Sequence, residues 1–446
     1  MTRVVVAGSG VAAIECVLAL RALAGSRVTI ELLAPSAELV HRPSSVTTPF
    51  GGGEAARVGL TRLADELGLT LHRDSLESVE PATHHVLTKG GDRVHYDVLV
   101  VATGARSREA VPGAVTFRGP MNAGAVEQVI ERVVANPALR VAFTAPAGPR
   151  WLLPLYELAL LSAATLRERG VSSPHLVAVT GEHEPLEVLG PAASEAVRAA
   201  LVRSGVDLIT SAVPEEAVTG ALQLQSGEWV PADAVIALPE LVGPRIAGLP
   251  HDADGYLLVN EHGIVERCAD VFAAGDVISF PVKHGGLAAQ QADAVAETIA
   301  ARVGAIGVPE PFRPVMRGLL MTGGAPLYLR VELGPGGQRE HRLLPATGTV
   351  SSEALWWPPG KVAGRYLTPF LATGEASRGP LEEPAPAETP PAHGFDLLLL
   401  VAEQDAAAGD PASAVRVLDD AEAWLGALPP QAAARRDEWR RLADVR

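Results

Sequence analysis

The most constraining feature lies at the start of the chain. The apolar run Arg3-Val4-Val5-Val6-Ala7 meets the turn Gly8-Ser9-Gly10. Val11 to Leu23 follows as a helix, with Ile14, Val17, Leu18 and Ala22 on its apolar face. Ser26 to Leu33 then reads as a second strand. In this strand–turn–helix–strand order, backbone N–H groups gather at a helix N-terminus with no Cβ in the way, which suits a pyrophosphate. Gly8 permits the sharp turn and Gly10 lets the backbone approach the phosphates. Ala13 replaces the usual third glycine, a tolerated change because that position serves close packing. The acid that grips a ribose normally ends the second strand. Here the strand ends Leu32-Leu33-Ala34-Pro35, which leaves Glu31 inside it and Glu38 beyond it.

The rest of the chain repeats this alternation. A helix over 58–69 and a small meander over 71–96 lead to a second buried strand, Asp97 to Gly104, ending in Ala102-Thr103-Gly104. Strands and helices then alternate from about 122 to 240. Residues 270–276 form another strand and turn, Ala274-Gly275-Asp276, followed by a helix from Ala288 to Val303. The predicted fold class is α/β: two Rossmann-like, three-layer units with parallel sheets, one inserted in the other. A mixed C-terminal region and a helical hairpin tail complete it. The expected boundaries are 1–115 and 243–304 for the first unit, 116–242 for the second, 305–375 for a flavin-covering or interface region, 376–394 for a proline-rich linker and 395–446 for the tail. In the tail, Ala402, Gly409, Ala414, Leu418 and Ala421 fall at tetratricopeptide spacing, but a single repeat favours a docked hairpin.

Charge and cysteine usage exclude several functions. The formal net charge of -15 opposes nucleic acid and anionic membrane surfaces. Membrane contact is expected to be peripheral at most, and no signal-peptide pattern opens the chain, so the expected location is the cytoplasm. Two cysteines, Cys16 and Cys268, are too few for a disulfide framework or a four-cysteine metal site; no metal site is expected.

Taken together, Gly8-Ser9-Gly10, Ala102-Thr103-Gly104 and Ala274-Gly275-Asp276 resemble the pyridine nucleotide–disulfide oxidoreductase superfamily of flavoproteins. The order and spacing match over roughly residues 1–304. The resemblance implies FAD, with the Ala-Thr-Gly turn closing the first FAD segment and Asp276 on the ribityl chain. Finer details are similar to the sulfide:quinone reductase and type-II NADH dehydrogenase branch: Pro154-Leu155-Tyr156-Glu157-Leu158-Ala159, Pro281-Val282-Lys283-His284-Gly285, Ala289-Gln290-Gln291-Ala292 and His41-Arg42-Pro43. In that branch, the loop matching His41-Arg42-Pro43 lies along the isoalloxazine. The cofactor set implied is Gly8, Gly10, Ala13, Glu31, Arg42, Pro43, Ala102, Thr103, Gly104, Gly275, Asp276, Gly285, Gly286 and Gln290.

The departures are equally informative. Residues 111–240 lack the middle-domain cysteine of sulfide:quinone reductases, and 40–50 lack a redox pair. The second unit has only Gly148 where a glycine-rich turn belongs, and Pro149 and Trp151 would crowd a pyrophosphate; this leaves NAD(P)H binding open. Reduced flavin is anionic at N1 and the C2 carbonyl, so a positive group or helix N-terminus stabilises it there. Lys283 and His284 lie in the right segment and are the catalytic candidates. His41 reads as a structural loop histidine, and Trp356-Trp357-Pro358-Pro359-Gly360-Lys361 as a segment that closes over substrate or mediates a dimer. The expected activity is FAD-dependent electron transfer between a small donor and an acceptor such as a quinone, without a redox disulfide. The alternatives are an NAD(P)H-dependent flavin reductase and a flavin-bearing or degenerate protein that works through a protein partner.

Overall fold

The computed structural model describes residues 1–52, 55–147, 151–333, 348–382, 402, 406, 411–425, 428 and 430–443. The first sheet runs Val271–Ala273, Val98–Val101, Thr2–Ala7, Val28–Leu33, Thr70–His72, with every neighbour parallel. The second runs Val115–Thr116, Ala234–Ala237, Arg140–Thr144, His175–Val179, Val206–Ile209, also all parallel. The α/β class with two parallel sheets is therefore as expected. A short antiparallel ribbon, Arg106–Arg108 with Glu240–Val242, joins the two chain crossings between the sheets.

Strands Val98–Val101, Ala234–Ala237 and Val271–Ala273 are apolar throughout, as suits strands covered on both faces. Val4, Val5, Val6 and Val98 to Val101 are all buried. Helix Val11–Ala24 is buried almost all round rather than on one face. It packs against both the sheet and helix Gly285–Arg302, its most extensive helical neighbour, and a helix covered on several sides is apolar nearly all round. The latter helix begins three residues before the expected Ala288.

Two local readings change. The expected strand from Leu71 splits: Thr70–His72 joins the first sheet beside Val28–Leu33, while Leu76–Glu80 pairs with His85–Thr88 in the meander. Residues Arg42–Phe50 form a 3-10 helix with no periodic signal in the sequence. Beyond the two sheets, Val315–Leu320, Leu327–Glu332 and Thr349–Ser351 form an antiparallel sheet. Trp356 is fully buried there, edge-on to Tyr328, and donates its Nε1–H to the Gly360 carbonyl at 3.2 Å. It is a core residue of this sheet, within the segment expected to close over substrate or mediate a dimer. In the tail, helices Pro411–Leu425 and Pro430–Ala443 pack together around Leu418 and Trp439. Most of the linker, residues 383–394, and Gly409 of the repeat pattern lie outside the described residues. Among the described residues, no helix is long and apolar enough to cross a membrane.

Candidate cofactor cleft

A cavity of about 500 Å³ opens at the carboxyl ends of the first sheet's strands, where open parallel sheets bind ligands. Two helix N-termini meet there. Helix Val11–Ala24 has Gly10 at its N-cap, helix Gly285–Arg302 has His284, and neither has a side-chain cap. Their first N–H groups therefore have no intrahelical partner and favour an anion. Ser9, Gly10, Val11, Gly285 and Ala288 line the cavity. So do Ala102, Thr103, Gly104, Gly275 and Asp276.

Two glycines are required by the backbone. Gly8 has φ +142°, and a Cβ on it would lie 2.1 Å from the Ala102 carbonyl oxygen. It thus lets the first strand's exit pass beneath the Ala102 turn, behind the cavity wall. Gly275 has φ +82°, and its Cβ would lie 2.9 Å from that of Ala12. Its N–H donates to Gln291 Oε1 at 2.9 Å, which fixes the turn presenting Asp276. Asp276 makes no hydrogen bond or ion pair with the described residues. Burial raises its pKa, while the charges of Lys283 and Arg42 oppose that shift. An acceptor held toward a cavity in this way suits ligand hydroxyls. Arg42 and Pro43 form the adjoining wall.

Several residues expected in the cofactor set lie elsewhere. Glu31 points away from the cleft and pairs with His72 at 2.7 Å and Arg3 at 3.0 Å. Side chains alternate along a strand, and position 31 faces the neighbouring strand's His72. Of the two acids weighed for the ribose, Glu38 lines the cavity, where it pairs with Arg57 at 3.1 Å. Ala13 is fully buried in helix packing, and Ala12 takes the cavity wall. Gly286 lies under the His284 ring. Gln290 is occupied by strand Val315–Leu320: its amide donates to the Val315 carbonyl and accepts from the Val315 N–H, both at 2.9 Å. Of the glutamine pair, Gln291 serves the cleft and both are buried.

The catalytic candidates also divide. Lys283 Nζ donates to the Ile278 carbonyl and sits 3.8 Å from the Tyr256 ring centroid, so its charge is held at one place beside Asp276. The His284 ring lies against Trp151, with ring centroids 4.5 Å apart and planes tilted by 51°. Its pKa falls to about 3, because burial disfavours the cation and Lys361 and Arg317 repel it. It is a neutral imidazole, not the positive group expected. His41 is likewise neutral, with its pKa lowered to about 4 by burial and by Lys361; its Nδ1 lies 3.2 Å from Ser44 Oγ.

Sequence reasoning missed the ion pair at this end of the cleft. Lys361 Nζ bonds Glu157 Oε1; the Glu157 side chain is buried, that of Lys361 is largely so, and both line the cavity. Glu157 Oε1 also accepts the Met321 N–H at 2.9 Å. Burial raises the Glu157 pKa and lowers that of Lys361, pushing both toward neutrality while their mutual attraction opposes it. The segments Pro154 to Ala159 and Trp356 to Lys361 each carried a signal, but nothing in one sequence joins residues 204 positions apart.

The model of the family described as pyridine nucleotide-disulphide oxidoreductase matches residues 2–135 and 158–297. The chain belongs to that family. Among known proteins it is similar to the sulfide-quinone reductase of Aquifex aeolicus (strain VF5), 25% identical over 248 residues. That match covers 51% of this chain and 57% of the relative, so the chain spans little more than half of that relative's length. The solved sulfide:quinone oxidoreductase of Aquifex aeolicus aligns with TM-score 0.70 and 21% identity over 79% of this chain and 87% of that one. Putidaredoxin reductase, in its covalent complex with putidaredoxin, aligns with TM-score 0.57 and 20% identity over 74% and 81%. These structural likenesses concern the fold. The cofactor is FAD, and the uncapped helix ends, the close glycine turns and the unpartnered Asp276 fit it.

Proposed function

We propose that the protein is an FAD-dependent oxidoreductase that takes electrons from a small donor and delivers them to a quinone-like acceptor without a redox disulfide. The observation carrying this reading is the buried Lys361–Glu157 pair on the wall of the cofactor cleft. Bound FAD supplies a two-electron store; the protein supplies position, charge and protons. Gly10 and the N-terminus of helix Val11–Ala24 would hold the pyrophosphate, and Asp276 the ribityl hydroxyls. Lys283 is fixed beside Asp276 as a positive charge. A carbonyl acceptor gains protons as it is reduced. Lys361 Nζ holds a proton against Glu157 Oε1, and burial brings the two groups' proton affinities together, so Lys361 can release that proton and recover it. Trp151, Leu153 and Leu319 supply apolar wall around it. Neither cysteine lines the cavity, and burial raises the Cys16 thiol pKa far above its ordinary value.

The NAD(P)H reading is less well supported. In a Rossmann unit the nucleotide ribose meets an acid after the second strand. In the second sheet that position is Glu182, which already accepts hydrogen bonds from Tyr156 Oη and, at 3.3 Å, from Thr180 Oγ1. Trp151 is turned toward His284 in the first cleft; Gly148, Pro149 and Arg150 lie outside the described residues. Anaerobic mixing of the flavin-loaded protein with NADH, with sulfide and with a reduced short-chain quinone tests the proposal. Flavin reduction by the small donor, and reoxidation by a short-chain quinone faster than by oxygen, are expected; the quinol is not expected to reduce the flavin, because a flavin that passes electrons to the quinone lies below it in potential. Rapid bleaching by NADH would instead establish the reductase reading, and no bleaching by any donor the non-catalytic partner.

A further inference from the structure

The C-terminal segment that brings Lys361 to the cleft is anchored at its other end by acids the reaction does not use. Glu15 of helix Val11–Ala24 is fully buried, and Asp293 of helix Gly285–Arg302 is nearly so. Glu15 Oε1 accepts the Tyr366 N–H at 2.7 Å, and its Oε2 accepts the Leu367 N–H at 2.8 Å. These two amides open helix Leu367–Thr373. A Cβ on Gly364 would lie 2.5 Å from Glu15 Oε2, so the segment passes directly over the carboxylate. Arg365 spans to the neighbouring helix, 2.6 Å from Glu297 Oε1 and 3.8 Å from Asp293 Oδ2. Between these contacts and Lys361, Val362 packs over Gly285 and Thr368 Oγ1 ties the Val362 carbonyl to the Gly364 N–H.

The acids outnumber the cations facing them. Among the described residues, Glu15, Asp293 and Glu297 meet one guanidinium, that of Arg365, and the other titratable groups at hand are the Cys16 thiol and the Tyr366 phenol. The Glu15 and Asp293 carboxyls are close enough to shift one another, and buried Asp293 Oδ1 receives no hydrogen bond among the described residues. Two carboxylates cannot both be charged there, so one proton must be shared. Glu15 needs both oxygens as acceptors for the two amides. The proton therefore belongs to Asp293, whose pKa is raised well above the usual carboxylate range by burial and by Glu15.

We infer that Glu15 and protonated Asp293 form a one-proton latch that seats residues 361–373 and thereby positions Lys361 in the cofactor cleft. The importance of that positioning rests on the function proposed above, but the latch can be tested without turnover. A raised carboxyl pKa contributes stability that is complete below the ordinary value and is lost as pH rises through the raised one. The segment is thus tightest at low pH and loosens as Asp293 ionises.

The test is hydrogen exchange of the flavin-loaded full chain, read as protection of the Tyr366 and Leu367 amides relative to unstructured rates, at several pH values. In the parent, protection falls as pH rises. Asp293→Asn, whose amide replaces the acid proton as donor, keeps the low-pH protection and removes the fall, so at alkaline pH it is better protected than the parent. Glu15→Gln can accept through only one oxygen and loses protection at least about tenfold, the factor that corresponds to one charged hydrogen bond. A parent profile flat with pH, or Asp293→Asn that loosens the segment at every pH, would overturn the latch. Should Glu15→Gln not fold, the Asp293→Asn profile decides alone. Failure of quinone reduction with this profile intact would overturn the functional reading and leave the latch standing.

Discussion

The two parallel sheets begin alike and differ where their ligands would sit. In each, a buried strand leads to a loop, a helix and a second strand followed by an acid. Both helices start without a side-chain cap, but in the first sheet Asp276 faces the cavity with no hydrogen bond or ion pair among the described residues. In the second, the helix carries Tyr156, whose hydroxyl occupies Glu182. Topology therefore supplies a place for a nucleotide, and a few side chains decide whether it stays available. The comparison also locates the chemistry: the second unit lends Trp151, Leu153 and Glu157 to the first cleft instead of serving its own.

The largest expected effect comes from closing the first cleft. Gly8→Val places side-chain atoms against the Ala102 carbonyl, in a backbone conformation a β-branched residue rarely adopts. Protein that remains soluble is expected to have lost nearly all its visible flavin absorbance, while normal flavin content would show that the two sheets differ less than the geometry implies. Next is Lys361→Met. Acceptor reduction is expected to fall by about 100-fold if this side chain provides the proton, and unpaired Glu157 destabilises the fold by about 3–5 kcal/mol. The double variant with Glu157→Gln should regain stability in a denaturant titration without regaining activity. Recovery of both would make the pair structural.

The second sheet responds to pH. Burial raises the Glu182 pKa to about 7, despite its bonds from Tyr156 and Thr180. The stability it contributes is therefore present at low pH and is lost as pH rises from the ordinary carboxylate value through neutrality. Glu182→Gln keeps an oxygen for Tyr156 and cannot ionise. Its Tm should match the parent near about pH 5 and exceed it by about 2–5 °C near about pH 8. An equal deficit at both values would mean that Glu182 serves as a charged group, as a nucleotide site requires.

The legible parts of this molecule were those carried by local order. The apolar strands, the glycine turns and Ala274-Gly275-Asp276 each announce themselves within ten residues, and together they indicated the α/β class. The alternation rule separates Glu31 from the cleft only once the register against His72 is known. The charge state of His284 depends on Lys361, 77 positions later, and on burial that no local pattern shows. Lys361–Glu157 is hidden for the same reason: its meaning lies in a contact between a helix of the second unit and a segment beyond the third sheet.

The smallest effect concerns two neighbours of which the sequence pattern assigns Gln290, not Gln291, to the cofactor. Gln290 and Gln291 are adjacent on a buried helix, so their side chains diverge by about 100°. Gln290 closes a two-bond pairing with Val315, whereas Gln291 receives the Gly275 N–H. Gln290→Ala leaves both Val315 groups unpaired and should cost about 1–3 kcal/mol of stability with flavin affinity unchanged. Gln291→Ala frees the turn that presents Asp276, so its cost should appear mainly as weaker FAD binding, measured by fluorescence on reconstitution. Equal effects of the two on both readouts would return Gln290 to the cofactor site. A split would show that the first cleft depends on a buried amide behind its wall as well as on the groups facing the flavin.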